Sequence, residues 1–246
     1  PDWSQEGPIT TPPHPACACT GLWWPGGQNA RFPPDPLTPE LDPAFEDEGV
    51  WVSLDKDPFV RKLPDGSSPF VTTFIRTDKE RKFSRIMITA WDSSVLDLHM
   101  MSGTEEPKSA TGETGAGLIP RDASTLTRFV AAFNGGFQGT HGDFGMQVNG
   151  TLYVPPKPYA ATVARLTDGR VAFGTWPEQS PGEPAVPDYI DSFRQNLTPL
   201  VQEGSINPYG RIWWGGVPHE WEDDTRTVRS GLCLTEAGLI AYFYGS

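Results

Sequence analysis

Residues 161–175 read Ala161-Thr-Val-Ala-Arg-Leu-Thr-Asp-Gly-Arg-Val-Ala-Phe-Gly-Thr175. Two runs rich in β-branched and apolar residues, Thr162 to Leu166 and Val171 to Thr175, flank Asp168-Gly169, the pattern of a β-hairpin. Working outward, strand-like runs recur at Val50/Val52/Leu54, Phe70 to Arg76, Ile86 to Trp91, Val95 to Met101, Met146 to Val148, Thr151 to Val154, Ile212 to Trp214, Gly231 to Leu234 and Leu239 to Tyr244. Asn149-Gly150 and Glu203-Gly204 add further turns. The best helix candidate is 120–130, where Pro120, Asp122 and Ser124 supply start signals and Leu126, Phe129 and Val130 are spaced for one face. The expected class is therefore strand-rich α+β, with mixed sheets and few short helices.

Length and charge set the outer limits. The chain has 246 residues, enough for one large core that removes roughly 70–75% of the unfolded surface from water. Pro and Gly, 26 each, favour turns and short elements. Eleven of the prolines fall in residues 1–49, together with Leu22, Trp23, Trp24 and Phe32, so this segment reads as an extended arm packed on a body formed by 50–246. We find no internal repeat and no domain break in the sequence. A net charge of −12 opposes binding to nucleic acid or to an anionic membrane surface. No apolar run approaches the 18 residues of a membrane span. The chain begins at Pro1 without Met, which is read as a mature form whose leader has been removed, secreted or placed in the periplasm or at the cell surface.

Cys17, Cys19 and Cys233 are an odd set. In an extended chain the Cα atoms of the first two would lie about 6.5–7 Å apart, at or beyond the usual disulfide limit, so a mutual bridge would be strained, which leaves a disulfide from one of them to Cys233, or three reduced thiols. A zinc site at Cys17-Ala-Cys19 would have only His14 as a nearby further ligand, so no metal and no cofactor is expected.

Chemistry concentrates in Ala131-Ala-Phe-Asn-Gly-Gly-Phe137 and His141-Gly-Asp-Phe-Gly145. Asn134-Gly135-Gly136 would bring backbone N–H groups and an amide close to a polar ligand, since glycine has no Cβ to obstruct approach; the plainer alternative is a primed hairpin turn. His141 and Asp143 follow in a glycine-broken loop and could act as an acid/base pair, or His141 could simply be solvated. Ser102 to Gly117, rich in Gly, Thr, Glu and Ser, reads as a mobile loop and a second place for chemistry. The pairs Trp23-Trp24 and Trp213-Trp214 are candidates for sugar stacking or for packing.

Taken in order, the Ala-Phe-Asn-Gly-Gly-Phe and His-Gly-Asp-Phe-Gly-Met segments, the 161–176 hairpin, Asn196-Leu-Thr-Pro-Leu-Val-Gln-Glu-Gly204 and Val228-Arg-Ser-Gly-Leu-Cys-Leu-Thr-Glu-Ala-Gly238 resemble the phosphodiester glycosidase family, the N-acetylglucosamine-1-phosphodiester α-N-acetylglucosaminidase-like domains, over roughly 50–246. Thr198 stands where that family usually has Gly. The resemblance implies an exported hydrolase that cleaves the bond between an anomeric carbon and a phosphodiester oxygen in a glycan or cell-envelope polymer. It carries Asn134, Gly135, Gly136 and Arg229 into a substrate pocket, with Arg226 as an alternative to Arg229. An Arg fork matches phosphate oxygens, although an Arg at a strand start also serves as a plain ion-pair partner.

Members of that family continue past the last strand to a segment whose Asp is expected in the active site, and this sequence stops at Gly245-Ser246. The expected explanation is a precursor cut into two chains, the second retained as a partner; a shortened chain and a loss of activity are the others. A terminal strand at 239–244 is expected to leave an open sheet edge unless another segment pairs with it. The rival reading is a non-catalytic extracellular filament subunit or glycan-binding module that uses that edge and the arm to join neighbours.

Overall fold

The computed structural model describes residues 21–23, 31–139, 142–177, 179–208 and 228–245. Its strands are Leu22–Trp23 (β1), Val52–Ser53 (β2), Val71–Ile75 (β3), Ile86–Asp92 (β4), Met146–Val148 (β5), Thr151–Val154 (β6), Ala161–Leu166 (β7), Val171–Thr175 (β8), Ile190–Asn196 (β9), Val201–Gln202 (β10), Ser205–Ile206 (β11), Arg229–Leu234 (β12) and Leu239–Gly245 (β13). The helix is Ala123–Arg128 (α1). The strand-rich class with little helix is what the chain adopts. Every ladder among the described residues is antiparallel, so the expectation of mixed sheets narrows to antiparallel ones.

The described residues fall into two compact units: 21–23 with 98–208, and 31–97 with 228–245. In the first, six strands lie in the order β1-β8-β7-β9-β5-β6, and β10 and β11 form a separate hairpin. The 161–175 hairpin closes at its turn with Leu166 N–H donating to Arg170 O, and Gly169 takes the left-handed φ of +90° that the turn requires. Along β7, Thr162, Ala164 and Leu166 are buried while their neighbours are partly exposed, the period of two of a sheet with one covered face. Ala164, Leu166, Ala172, Trp176, Ile190 and Phe193 form the core here, and the Trp176 and Phe193 ring centroids lie 4.4 Å apart.

At the centre of this sheet runs β9, paired on one side with β7 and on the other with β5. Its sequence, Ile-Asp-Ser-Phe-Arg-Gln-Asn, escapes hydrophobic pattern reading because two of its buried positions, Ser192 and Gln195, are polar. Both are satisfied. Ser192 Oγ accepts from Asn149 N–H; Gln195 Oε1 accepts from the N–H groups of Gly145 and Lys157, and its Nε2 donates to Lys157 O and Thr162 Oγ1. A fully satisfied buried amide costs little to bury and fixes one arrangement of the segments it joins. Asn149-Gly150, with φ of +47° and +78°, is the primed turn between β5 and β6.

The second unit has the order β12-β13-β4-β3-β2, with Val71, Ala90 and Ala241 buried together and Phe32, Trp51 and Ile88 packed against them. The C-terminal strand is not an edge: β13 lies between β12 and β4, with Ile240 opposite both Leu234 and Trp91. This corrects the expected open edge at 239–244, and the edge strands are β12 and β2 instead. Within the described parts of the arm, Leu22–Trp23 pairs with β8 and Phe32 packs against the second core.

Two local expectations change. The alternation of Val95 to Met101 does not become a strand, because Asp92 turns the chain, its carbonyl accepting from the N–H groups of Val95 and Leu96 and its carboxylate from Ser94 N–H. The helix forms within 120–130, started by Asp122, whose carboxylate accepts from Thr125 N–H, but it buries none of its residues. The strand expected at Ile212 to Trp214 lies outside the described residues.

Candidate functional site

Strands β5 and β9 are neighbours, and the Gly142–Gly145 segment leads directly into β5. On β9, Arg194 and Asn196 are two residues apart and so share a face. Both reach the Asn134–Phe137 segment. Asn196 Oδ1 accepts from Phe137 N–H at 3.0 Å, and its amide nitrogen donates to Gly135 O at 3.5 Å. Arg194 Nη2 donates to Phe137 O at 2.5 Å, while Nη1 donates to Phe144 O at 2.6 Å and to Gly145 O at 3.3 Å. One guanidinium thus ties the Asn-Gly-Gly-Phe and Asp-Phe-Gly motifs to the central strand. Burial pushes this guanidinium down to about 10, with the Glu106 charge opposing the shift.

The two glycines of the motif differ. Neither has positive φ, so the primed-turn reading of Asn134-Gly135 does not hold. Gly136 N–H instead donates to Asn134 Oδ1 at 3.2 Å, a local side-chain turn at an exposed residue. A Cβ on Gly135 would meet nothing within 4 Å, whereas one on Gly136 would sit 2.5 Å from Arg194 Nε and 2.9 Å from Nη2. Gly136 is the position where close approach matters.

Carboxylates gather a few residues on. Gly139 N–H donates to Glu106 Oε2 at 2.8 Å, and a Cβ placed on Gly139 would lie 3.5 Å from Glu106 Oε2 and 3.6 Å from Asp143 Oδ1. Glu106, partly buried, and Asp143, exposed, therefore converge on one point beside the motif. Glu106 comes from the 102–117 loop, which is anchored: Ala110 N–H donates to Tyr153 O, Thr111 Oγ1 to Leu152 O, and Gly117 N–H to Ser102 O. Sequence reading missed Glu106, Arg194 and Asn196 as site residues. The signal for Glu106 was the composition of its loop; for Asn196 it was the Asn196–Gly204 segment.

Of the residues expected from the sequence, Asn134, Gly135, Gly136 and Asp143 thus stand together in the first unit. Arg229 starts β12 of the second unit, opposite Gly245, and its Nη1 donates to Val228 O. His141 and Arg226 lie outside the described residues, as do Cys17, Cys19, Trp24, Trp213 and Trp214. Cys233 carries a free thiol. Among the described residues, no group of three or more His, Cys, Asp and Glu side chains is placed to hold a metal ion, and no helix is long and apolar enough to cross a membrane.

A Cβ on Gly145 would lie 2.5 Å from Gln195 Oε1 and 2.8 Å from both the Phe193 ring and Pro156 Cα. Gly145→Ala is expected to destabilise the protein by about 1–3 kcal/mol, the usual range for overpacking, as read from denaturant unfolding of the intact chain. Comparison with protein-family models, with curated proteins and with solved structures finds no match to this chain.

Proposed function

We propose that this protein is an exported hydrolase that cleaves the glycosidic bond between a sugar and a phosphodiester, as its resemblance to the phosphodiester glycosidases implies. The observation that supports the reading best is the convergence of Glu106 and Asp143 beside the Asn134–Gly136 segment. Glycoside hydrolysis commonly uses two carboxylates flanking the scissile bond, one acting on water or on the anomeric carbon and the other moving a proton. In the proposed reaction water adds to the anomeric carbon, the bond from that carbon to the phosphodiester oxygen breaks, and that oxygen leaves with the bonding pair and takes up a proton. The products are a free sugar and a phosphomonoester. Asn134 and the Gly135-Gly136 backbone orient the substrate, and His141 assists proton transfer.

A chromogenic sugar phosphodiester tests this directly. The intact protein is expected to release its phosphate-linked group, and Asn134→Ala, checked for retained unfolding behaviour, is expected to lose most of that activity. Retention in that variant removes Asn134 from the site. No hydrolysis by the protein at all moves the assignment to a non-catalytic surface subunit or glycan-binding module.

A further inference from the structure

We propose that the Nε–Nη2 edge of Arg194, opened by the missing side chain of Gly136 and bordered by Gly135, is the site that receives the phosphoryl oxygens of a sugar phosphate ester. This rests on the reaction proposed above and places a phosphate-binding group within the first unit.

The argument begins with the donor count. A guanidinium carries five N–H donors in a fixed plane and no acceptor. Three of those of Arg194 go to the main-chain carbonyls of Phe137, Phe144 and Gly145. The Nε–H and one Nη2 hydrogen have no acceptor among the described residues, and Nε and Nη2 share the edge of the guanidinium that can bind an oxyanion through two bonds. Gly136 lies against that same edge, with the position of its absent Cβ 2.5 Å from Nε and 2.9 Å from Nη2. Any other residue there would cover the edge. Gly135 next to it faces open space and its carbonyl is turned to the Asn196 amide, so its exposed backbone borders the opening.

Electrostatics point the same way. The guanidinium is largely buried, yet none of its hydrogen bonds is to a carboxylate, and burial pushes it down to about 10. Glu106 acts on it only through its charge, since its Oε2 accepts from Gly139 N–H. A desolvated cation held by carbonyl dipoles alone gains from an anion that returns a full negative charge to it. The chain carries −12 overall and repels anions at long range, so affinity at this point must come from short, directed bonds of this kind.

Titration of the full chain with inorganic phosphate and with a hexose 1-phosphate, followed through backbone amide shifts, tests the site. Saturable shifts are expected at Gly135, Gly136 and Gly139, with the hexose 1-phosphate binding more tightly than inorganic phosphate. Gly136→Ala, which covers the edge, and Arg194→Lys, which keeps the charge but removes the paired donors, are each expected to weaken binding at least 10-fold. Arg194 also holds three carbonyls; if Arg194→Lys fails to fold, Gly136→Ala decides alone. Unchanged affinity in Gly136→Ala, or saturation without shifts at the three glycines, overturns the site, and equal affinities for the two probes overturn its assignment to a sugar phosphate. Phosphate binding at these glycines without turnover of any sugar phosphodiester upholds the site and sinks the hydrolase reading. Turnover with phosphate binding untouched by both variants does the reverse.

Discussion

Glu106→Gln and Asp143→Asn are each expected to lower kcat for a sugar phosphodiester by about 10²–10⁴-fold, the usual contribution of a positioned acid or base. Both substitutions keep the shape of the side chain and remove its capacity to exchange a proton or to attack carbon. Asp143 is exposed and Glu106 only partly buried, so the fold is expected to tolerate the loss of either charge. Gln at 106 retains an oxygen that can accept from Gly139 N–H, which preserves the loop anchor while the chemistry is lost. Equal losses in the single and double variants would mark the two carboxylates as one catalytic unit. An activity within about threefold of the parent in both variants would exclude the pair from the reaction. A fall in kcat with unchanged KM separates a chemical role from a binding one.

The second large effect concerns stability. Glu48 and Arg76 form an ion pair at 2.8 Å in the second unit, with side-chain exposures of 0% and 3%. The Glu48 carboxylate accepts from the N–H groups of Phe45 and Arg76 and from Arg76 Nε, and Arg76 Nη2 also donates to Pro43 O. The Arg76 guanidinium lies 3.6 Å from the centroid of the Phe45 ring. Removing one partner of such a pair leaves a buried, uncompensated charge, so Glu48→Ala is expected to cost about 3–5 kcal/mol in denaturant unfolding at neutral pH. Burial by itself would raise the Glu48 carboxyl, but the backbone hydrogen bonds from Phe45 and Arg76, the Arg76 side-chain bond and its charge outweigh it and hold the group below the ordinary glutamate value. The sign follows from linkage. A depressed folded-state value contributes stability that is complete above the unfolded value and is lost as pH falls through the folded one. The gap between Glu48→Gln and the parent is therefore expected to be full at pH 7 and to shrink as the pH drops below about 4, the range where an unfolded glutamate titrates. A gap that does not change with pH would mean that the charge of Glu48 does not contribute.

How much of this was legible in the sequence differs from strand to strand. The 161–175 hairpin was readable because its buried positions are apolar and its turn needs the glycine it has. Strand β9 was not, although it is the centre of its sheet: Ser192 and Gln195 face inward and are satisfied by hydrogen bonds to segments up to 50 residues away, which no local pattern encodes. The same blindness hid half of the candidate site. Asn134, Gly135, Gly136 and Asp143 lie in compact motifs that draw the eye. Arg194 and Asn196, which position those motifs, sit in a strand whose polar composition concealed it, and Glu106 sits in a loop whose composition suggested only mobility. The position of β13 was unreadable for a related reason, since a strand's neighbours are chosen by distant segments and not by its place in the chain.

That position has a consequence for synthesis. Strands β2 to β4 leave the ribosome early, but the partner that closes β4, strand β13, follows only after the whole stretch that builds the first unit. At about 5–20 residues per second, β4 waits on the order of 10–30 s with one side unpaired. During that interval the nascent chain presents Ile86–Asp92 as a bare strand edge, open to chaperones, to aggregation or to a second nascent copy. The first unit, whose sheet apart from β1 is drawn from one continuous segment, has no such delay, so it is expected to mature before the second although β2 to β4 are made before β5 to β9.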